Sequence, residues 1–233
     1  MPQTPVLSNT LDEQFPLFRF PLFEGMSRSE LMQVAGNTKF GFVKLPPDKP
    51  VVSEGDQCRQ LFFLVKGTLQ VTSGSDDHSY RLREAIGAPW LFQPEALFGS
   101  SPRFTCSVRT LSPSQFITLS KDDFLQMTDD FLVVRLNFLN LLSTLAQRRG
   151  RHAWRHTSDD LRRRIVAFLL VRCCYPAGRK ELYVTMNTLA RELNDSRLNV
   201  SRALNAMQQQ GILELHRSRI VVPSVENLLA DIK

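Results

Sequence analysis

The stretch from Thr185 to Met207 constrains this chain more than any other, because it holds two short amphipathic segments separated by a turn dipeptide. Thr185-Met186-Asn187-Thr188-Leu189-Ala190-Arg191-Glu192-Leu193 predicts a short helix capped by Thr185, with Leu189 and Leu193 inward. Ala190 is small enough to let a second helix approach closely. Asn194-Asp195 supplies a tight turn. Beyond it, Val200, Ala203, Leu204 and Met207 recur at spacings of three and four, so they form the buried face of a second helix starting near Ser196. Arg197, Asn199, Ser201, Arg202 and Asn205 are left to project outward. These side chains suit duplex DNA: Arg can bond guanine bidentately, Asn can do the same with adenine, and Ser can bond a phosphate or a base. In a helix-turn-helix the N-terminal residues of the second helix enter the major groove, where Arg197 and Asn199 fall.

Gly211 ends that helix. Ile212-Leu213-Glu214-Leu215, His216-Arg217-Ser218-Arg219 and Ile220-Val221-Val222 then read as a two-stranded hairpin with a basic tip, a wing whose Arg217 and Arg219 would contact phosphate. A small helical bundle with a solvated polar face is the plainer alternative. The ordered succession of turn, small residue, outward polar set and wing favours the DNA-reading element.

Charge is unevenly spread. The 233 residues hold 29 Lys and Arg against 23 Asp and Glu, and Gln147 to Lys233 alone holds 16 against 8. A basic C-terminal part on a slightly acidic body suits a polyanion, since Lys and Arg displace counterions condensed on nucleic acid; a solvated basic face would look the same by charge alone. Length and a hydrophobic content of 42% leave room for two cores. Cys58, Cys106, Cys173 and Cys174 show no C-x-x-C spacing, so neither a metal site nor a disulfide framework is indicated, and no cofactor is expected. The N-terminus lacks a basic region followed by an apolar run, and no apolar run approaches the roughly 18 residues of a membrane span. A cytoplasmic protein with reduced thiols and no membrane partner is the expectation.

Upstream, Ser27-Arg28-Ser29-Glu30 has the S-x-x-E capping pattern and predicts a helix through Leu31 and Val34. From Phe40 to Leu119, short runs rich in Val, Phe, Leu and Thr are punctuated by Pro46-Pro47, Gly55, Gly67, Gly74, Gly87 and Gly99, as in a compact antiparallel β domain. Leu61-Phe62-Phe63-Leu64-Val65 and the alternating Thr68-Leu69-Gln70-Val71-Thr72 together predict a hairpin with one buried face. Ser120-Lys121-Asp122-Asp123 resembles a helix cap, and the helix should run well beyond Asp130. Phe131, Val134, Phe138, Leu141 and Leu145 step by three and four like a coiled-coil seam, while Leu132, Leu136, Leu139 and Leu142 widen the apolar surface. Either the helix is buried within one monomer, or it packs on the β domain on one side and through that seam on a second subunit on the other. Arg148-Arg149-Gly150-Arg151 should end or loosen it. Ser158-Asp159-Asp160 then caps a new helix with Leu161, Ile165, Phe168 and Leu169 inward, which Pro176 and Gly178 terminate.

The segment Ser196-Arg197-Leu198-Asn199-Val200-Ser201-Arg202 resembles the S-R-x-x-V-x-R recognition signature of the Crp/Fnr family of bacterial transcription regulators, and Gln209-Gln210-Gly211-Ile212-Leu213 resembles the lead into its wing. Leu45 to Asp56 and Leu61 to Val71 look like the first strands of that family's cyclic-nucleotide-binding roll. The resemblance covers Phe15 to Leu229 and implies an α+β chain. Its parts would be a cyclic-nucleotide-binding-like effector β-roll (a double-stranded β-helix) over 15–128, a dimerisation helix and hinge over 129–156, and a winged helix-turn-helix over 157–233. It implies a homodimer reading a double-stranded palindromic operator whose half-sites lie about one helical turn apart, with RNA polymerase as a further partner. Thr185, Ser196, Arg197, Leu198, Asn199, Ser201, Arg202, Arg217 and Arg219 would form the DNA-contacting set.

Two departures from the family bear on input and target. The family's cyclic-AMP site uses Gly-Glu-Leu at the ribose, but here Gly87 is followed by Ala88-Pro89, and Pro94-Glu95-Ala96-Leu97-Phe98-Gly99 offers no good counterpart. Pro102-Arg103-Phe104-Thr105 does resemble the phosphate end of the cassette, where an Arg fork matches two phosphate oxygens. The expected effector is therefore something other than cyclic AMP, with Trp90, Phe92, Arg103, Thr105, Asn137 and Asn140 as candidate pocket residues between roll and long helix. An iron-sulfur cluster would need four suitably placed thiolates, and His78 or Cys58 would be an isolated haem ligand. At the operator, family members reading TGTGA-type half-sites carry Glu where this chain has Leu198, whose apolar side chain suits a thymine methyl instead. A cyclic-nucleotide-binding signalling module that does not act on DNA is the alternative, against which the wing and Arg197, Asn199 and Arg202 argue. No Gly-rich phosphate loop, paired-carboxylate motif or nucleophile beside a base suggests an enzyme.

Overall fold

The computed structural model describes residues 16–153 and 159–230, with residues 149–153 as backbone only. After 3-10 turns at Pro16–Arg19 and Pro21–Phe23 comes helix α1, Arg28–Asn37. Its capping box is complete: the Ser27 hydroxyl accepts from the Glu30 amide at 3.3 Å, and the Glu30 carboxylate accepts from the Ser27 amide at 2.7 Å.

Eight strands build the roll: β1 Phe40–Leu45, β2 Pro50–Val52, β3 Gln60–Lys66, β4 Thr68–Gly74, β5 Tyr80–Gly87, β6 Trp90–Leu91, β7 Ser107–Thr110 and β8 Ser114–Ser120. They divide between two sheets, and here the expected β3–β4 hairpin is corrected. β3 pairs with β8 and β6, whereas β4 pairs with β5 and β7 in the other sheet. The chain switches sheets at Gly67, which has φ +107°, and a Cβ there would lie 2.8 Å from the Pro113 carbonyl oxygen and the Ser114 Cα. Only glycine fits that corner. Alternation in the sequence identifies the buried face of each strand but not its partner. Phe62, Phe92, Phe104 and Phe116 stack or meet edge-to-face inside the roll, with Phe62 and Phe92 centroids 5.1 Å apart.

The helical stretch after Ser120 is two helices rather than one, α2 Lys121–Asp130 and α3 Leu132–Ala153. Ser120 caps α2 as expected, accepting from the Asp123 amide at 3.1 Å. Phe131 is extended (φ −127°, ψ 98°), and Arg135 Nε donates to the Thr128 carbonyl at 2.9 Å, supplying a partner at the C-terminal end of α2. No Gly or Pro marks this break. Conversely, α3 continues through Gly150 to Ala153, so the expected stop there does not occur.

The expected cap at Ser158 lies outside the described residues; Asp160 caps α4, Leu161–Arg172, accepting from the Arg162 amide at 2.9 Å. Then come β9 Lys180–Val184, α5 Met186–Glu192, α6 Arg197–Gln209, β10 Glu214–His216, β11 Arg219–Val222 and α7 Val225–Ala230. These elements enclose a second core around Ile165, Val166, Leu169, Val200, Leu204 and Met207. That core also takes in Leu82 of the roll, because β9 pairs antiparallel with β5 from Tyr80↔Val184 to Glu84↔Lys180. The result is one seven-stranded sheet, β10-β11-β9-β5-β4-β7-β2, running through both halves. Among the described residues, no helix is long and apolar enough to cross a membrane.

Candidate nucleic-acid interface

The helix pair α5 and α6 is positioned by its caps. Thr185 Oγ accepts from the Thr188 amide and Ser196 Oγ from the Asn199 amide, both at 3.1 Å. Two of the three hydroxyls in the sequence-derived contact set, those of Thr185 and Ser196, therefore hold helix ends. Leu189, Ala190 and Leu193 are buried, and Asn194 turns the chain at φ 48°, a left-handed conformation Asn tolerates.

Asp195 has a larger role than turn formation. It accepts from the Ser196 amide at 2.7 Å and from Asn199 Nδ2 at 2.9 Å, and its other oxygen pairs with the Arg164 guanidinium of α4. Arg164 also donates to the Leu193 carbonyl at 2.8 Å. The Asn199 and Ser196 hydrogen bonds, aided by Arg164, hold the Asp195 carboxyl below the usual carboxylate range. The reading of the sequence missed this clamp. Its only signal was an acidic residue immediately before a helix cap, and nothing local linked it to Arg164.

On α6, Val200, Leu204 and Met207 are fully buried, while Leu198 is 58% exposed. Arg197, Asn199 and Arg202 are exposed with it, and Ser201 is half-buried and accepts from Asn205 Nδ2 at 3.4 Å. Among the described residues no hydrogen bond or ion pair engages Arg197, Arg202 or Arg217. At the wing, Ser218 turns the hairpin at φ 54° and Arg217 is exposed at the tip. Arg219 differs: pairing of β11 with β9 brings it within 3.9 Å of Glu181, a carboxylate also bonded by Arg179 and by the Tyr183 hydroxyl at 2.9 Å. The outward surface is thus a cationic face with one large apolar side chain, Leu198, exposed among Arg197, Asn199 and Arg202.

The candidate effector residues are engaged locally. Asn137 Nδ2 donates to the Leu22 and Glu24 carbonyls at 3.1 and 2.8 Å, tying α3 to the N-terminal turns. Asn140 is exposed, and Trp90 stacks on buried Phe92 at 5.4 Å. The Thr105 amide donates to Gln93 Oε1 at 3.0 Å and its hydroxyl accepts from Gln93 Nε2; exposed Arg103 donates to the Gly55 carbonyl at 2.7 Å. A cavity of about 410 Å³ lies elsewhere, lined by Pro16, Leu17, Thr38, Phe40, Phe42 and Ile117.

The seam on α3 is divided differently from the sequence reading. Val134 and Phe138 turn into the roll's own core, where Phe138 meets Phe124 edge-to-face at 4.8 Å. Phe131, Leu141 and Leu145 are half-buried. Leu132, Leu136 and Leu139, which the sequence reading treated as widening the surface, are 59%, 50% and 52% exposed.

Comparison with known proteins gives two matching families: the cyclic nucleotide-binding domain over residues 42–131 and the Crp-like helix-turn-helix domain over residues 163–230. The cAMP-activated global transcriptional regulator CRP of Haemophilus influenzae is 20% identical over 184 residues, 77% of this chain and 82% of that protein. The cAMP-activated global transcriptional regulator Vfr of Pseudomonas aeruginosa is 23% identical over 192 residues, 74% of this chain and 84% of that protein. Among solved structures, the catabolite activator protein of Thermus thermophilus is 18% identical, with 92% of this chain and 100% of that chain covered at a TM-score of 0.47.

Proposed function

The chain belongs to the Crp/Fnr family of transcription regulators, and from that premise we propose that it works as a homodimer reading a palindromic operator through α6. The observation that carries this reading is the division of α6 into a fully buried apolar face and an outward face of Arg197, Leu198, Asn199 and Arg202. Arg197, first in the helix, is the candidate for a guanine, and Leu198 for a thymine methyl. Arg202 and the wing's Arg217 serve phosphates, with Arg219 a weaker contributor because Glu181 shares its charge. Thr185 and Ser196 act by fixing the helix ends. Two-fold symmetry would come from the apolar stripe Leu132, Leu136 and Leu139 on α3, since exposed apolar side chains one and two turns apart suit a helix packed on its own copy. Such a regulator works in the cytoplasm, and its bound dimer would meet RNA polymerase.

The effector we propose is not cyclic AMP, although the two relatives named above are cAMP-activated. Arg103 is exposed and tied to the Gly55 carbonyl, Thr105 is paired with Gln93, and aromatic rings fill the roll interior.

Selection of the full-length protein against random duplex DNA tests the first proposal. A two-fold symmetric motif is expected, and recovery of unrelated sequences would sink it. Thermal shift tests the second: a true ligand at 100 times its Kd stabilises by about 2.7 kcal/mol. Cyclic AMP and cyclic GMP are expected to leave the midpoint unmoved, and a clear shift with either would overturn the assignment.

A further inference from the structure

Two thiols from opposite halves of the chain meet at the junction of roll and winged helix. The β4–β7 pairing runs from Leu69↔Thr110 to Thr72↔Ser107, so the next step sets Ser73 opposite Cys106. Alternation puts both on one face, with Leu69, Val71 and Ser73 following one strand and Thr110, Val108 and Cys106 the other. From the winged-helix side, the Cys174 amide donates to Glu84 Oε1 at 2.7 Å and the Tyr175 amide to Oε2 at 3.2 Å, which holds the segment after α4 against β5. Cys174 Sγ then lies 3.6 Å from Ser73 Oγ, the side chain beside Cys106 on the same face of the ladder. Both cysteines are free thiols; Cys106 is fully buried and Cys174 is exposed.

We propose that Cys106 and Cys174 form a redox site that closes to a disulfide by exchange with a low-molecular-weight disulfide, tying the winged helix to the effector roll. Exposure sets the order of steps. The Cys174 thiolate attacks the small disulfide RSSR, forming a mixed disulfide and expelling RS⁻. Cys106 sulfur then attacks Cys174 sulfur, loses its proton, and expels the second RS⁻. The two protein thiols lose two electrons and two protons, and RSSR leaves as two RSH. The hydrogen bond to Cys174 and burial hold the Cys106 thiol well above the ordinary thiol range, so it does not react before Cys174 is modified. The other cysteines are poorly placed to compete. Burial and nearby Glu84 push the Cys173 thiol up to about 12, and it donates to the Leu169 carbonyl at 3.2 Å. Cys58 is buried, raised by that burial, and donates to the Gln60 carbonyl.

Full-length protein equilibrated with oxidised glutathione and mapped by mass spectrometry without reduction should yield a peptide pair linked through Cys106 and Cys174. C106S should instead accumulate one glutathione on Cys174, and C174S should form neither the link nor an adduct on Cys106. A Cys173–Cys174 link, a link between two chains, or a stable glutathione adduct on the unaltered protein would overturn the assignment. Amide exchange across Lys180–Val184 reports the tie itself and should slow roughly tenfold on oxidation, since the covalent closure suppresses local separation of the strands. Unchanged exchange in the linked protein would refute the tie. Because Cys174 is exposed, C174S serves as a folded control if the buried Cys106 does not tolerate replacement.

Discussion

Among the described residues Arg197 and Arg217 are both exposed cations without a protein partner, yet their positions give them different proposed roles. Arg197 opens α6 and is the proposed base reader, so Arg197→Ala should cost about 1–3 kcal/mol of binding and relax preference at one base pair. Arg217 sits on the wing tip, where Arg217→Ala should weaken all sequences alike and reduce the slope of log K against log salt by about 0.9. Salt titrations by fluorescence anisotropy on selected and scrambled duplexes separate the two. A uniform loss for both would remove Arg197 as a base reader. Asp195 predicts a pH effect. Its carboxyl is held down in the fold and ordinary in the unfolded chain, so its contribution is complete above the ordinary carboxylate range and lost as pH falls through the lowered value. Melting temperatures between about pH 5 and pH 2 should fall less steeply for Asp195→Asn than for the unaltered chain. An identical slope would mean that the Arg164–Asp195 clamp does not hold the turn in solution.

At the scale of elements, legibility followed how local each constraint is. The helix-turn-helix could be read because a cap, a small residue, a turn residue and a buried stripe each fix the chain within a few positions. The α3 seam could not be oriented from sequence, since Val134 and Phe138 on one face and Leu132, Leu136 and Leu139 on the other are both apolar. Which face meets the roll depends on Phe124, which is brought to Phe138 only by the break at Phe131. This gives a paired prediction. Leu136→Glu should yield a folded monomer by sedimentation, whereas Phe138→Ala should leave the proposed dimer intact but lower stability by about 3–5 kcal/mol. The reverse outcome would restore the inward residues to the subunit interface. Strand β9 escaped notice because Lys180-Glu181-Leu182-Tyr183-Val184 opens with two charged residues, which reads as surface until a buried partner for Lys180 is known.

That partner is Glu84, and it shapes the behaviour of the whole molecule. Lys180 Nζ lies 3.1 Å from the Glu84 carboxylate, with both side chains at most 1% exposed, and also donates to the Ala177 carbonyl at 2.6 Å. Glu84 accepts from the Cys174 and Tyr175 amides as well, so all three of these Glu84 side-chain contacts span the roll and the winged-helix half. A buried ion pair adds little net stability, because desolvation offsets the attraction, but removing one member strands the other charge at a cost of about 3–5 kcal/mol. Lys180→Met should therefore destabilise by about that amount, and adding Glu84→Gln should recover part of it, a non-additivity expected of residues in contact. The joined sheet makes a second demand. Since Leu82 is buried in the winged-helix core and β5 pairs with β9, the intact chain should unfold in one calorimetric transition. Lys180→Met should split it into two, as the halves separate before either core melts. A single transition retained in Lys180→Met at a lowered midpoint would show that Leu82 and the strand pairing couple the halves without the ion pair. A split confined to the variant would place the coupling at Glu84 and Lys180, the route by which a change in the roll would reach the proposed DNA-reading helix.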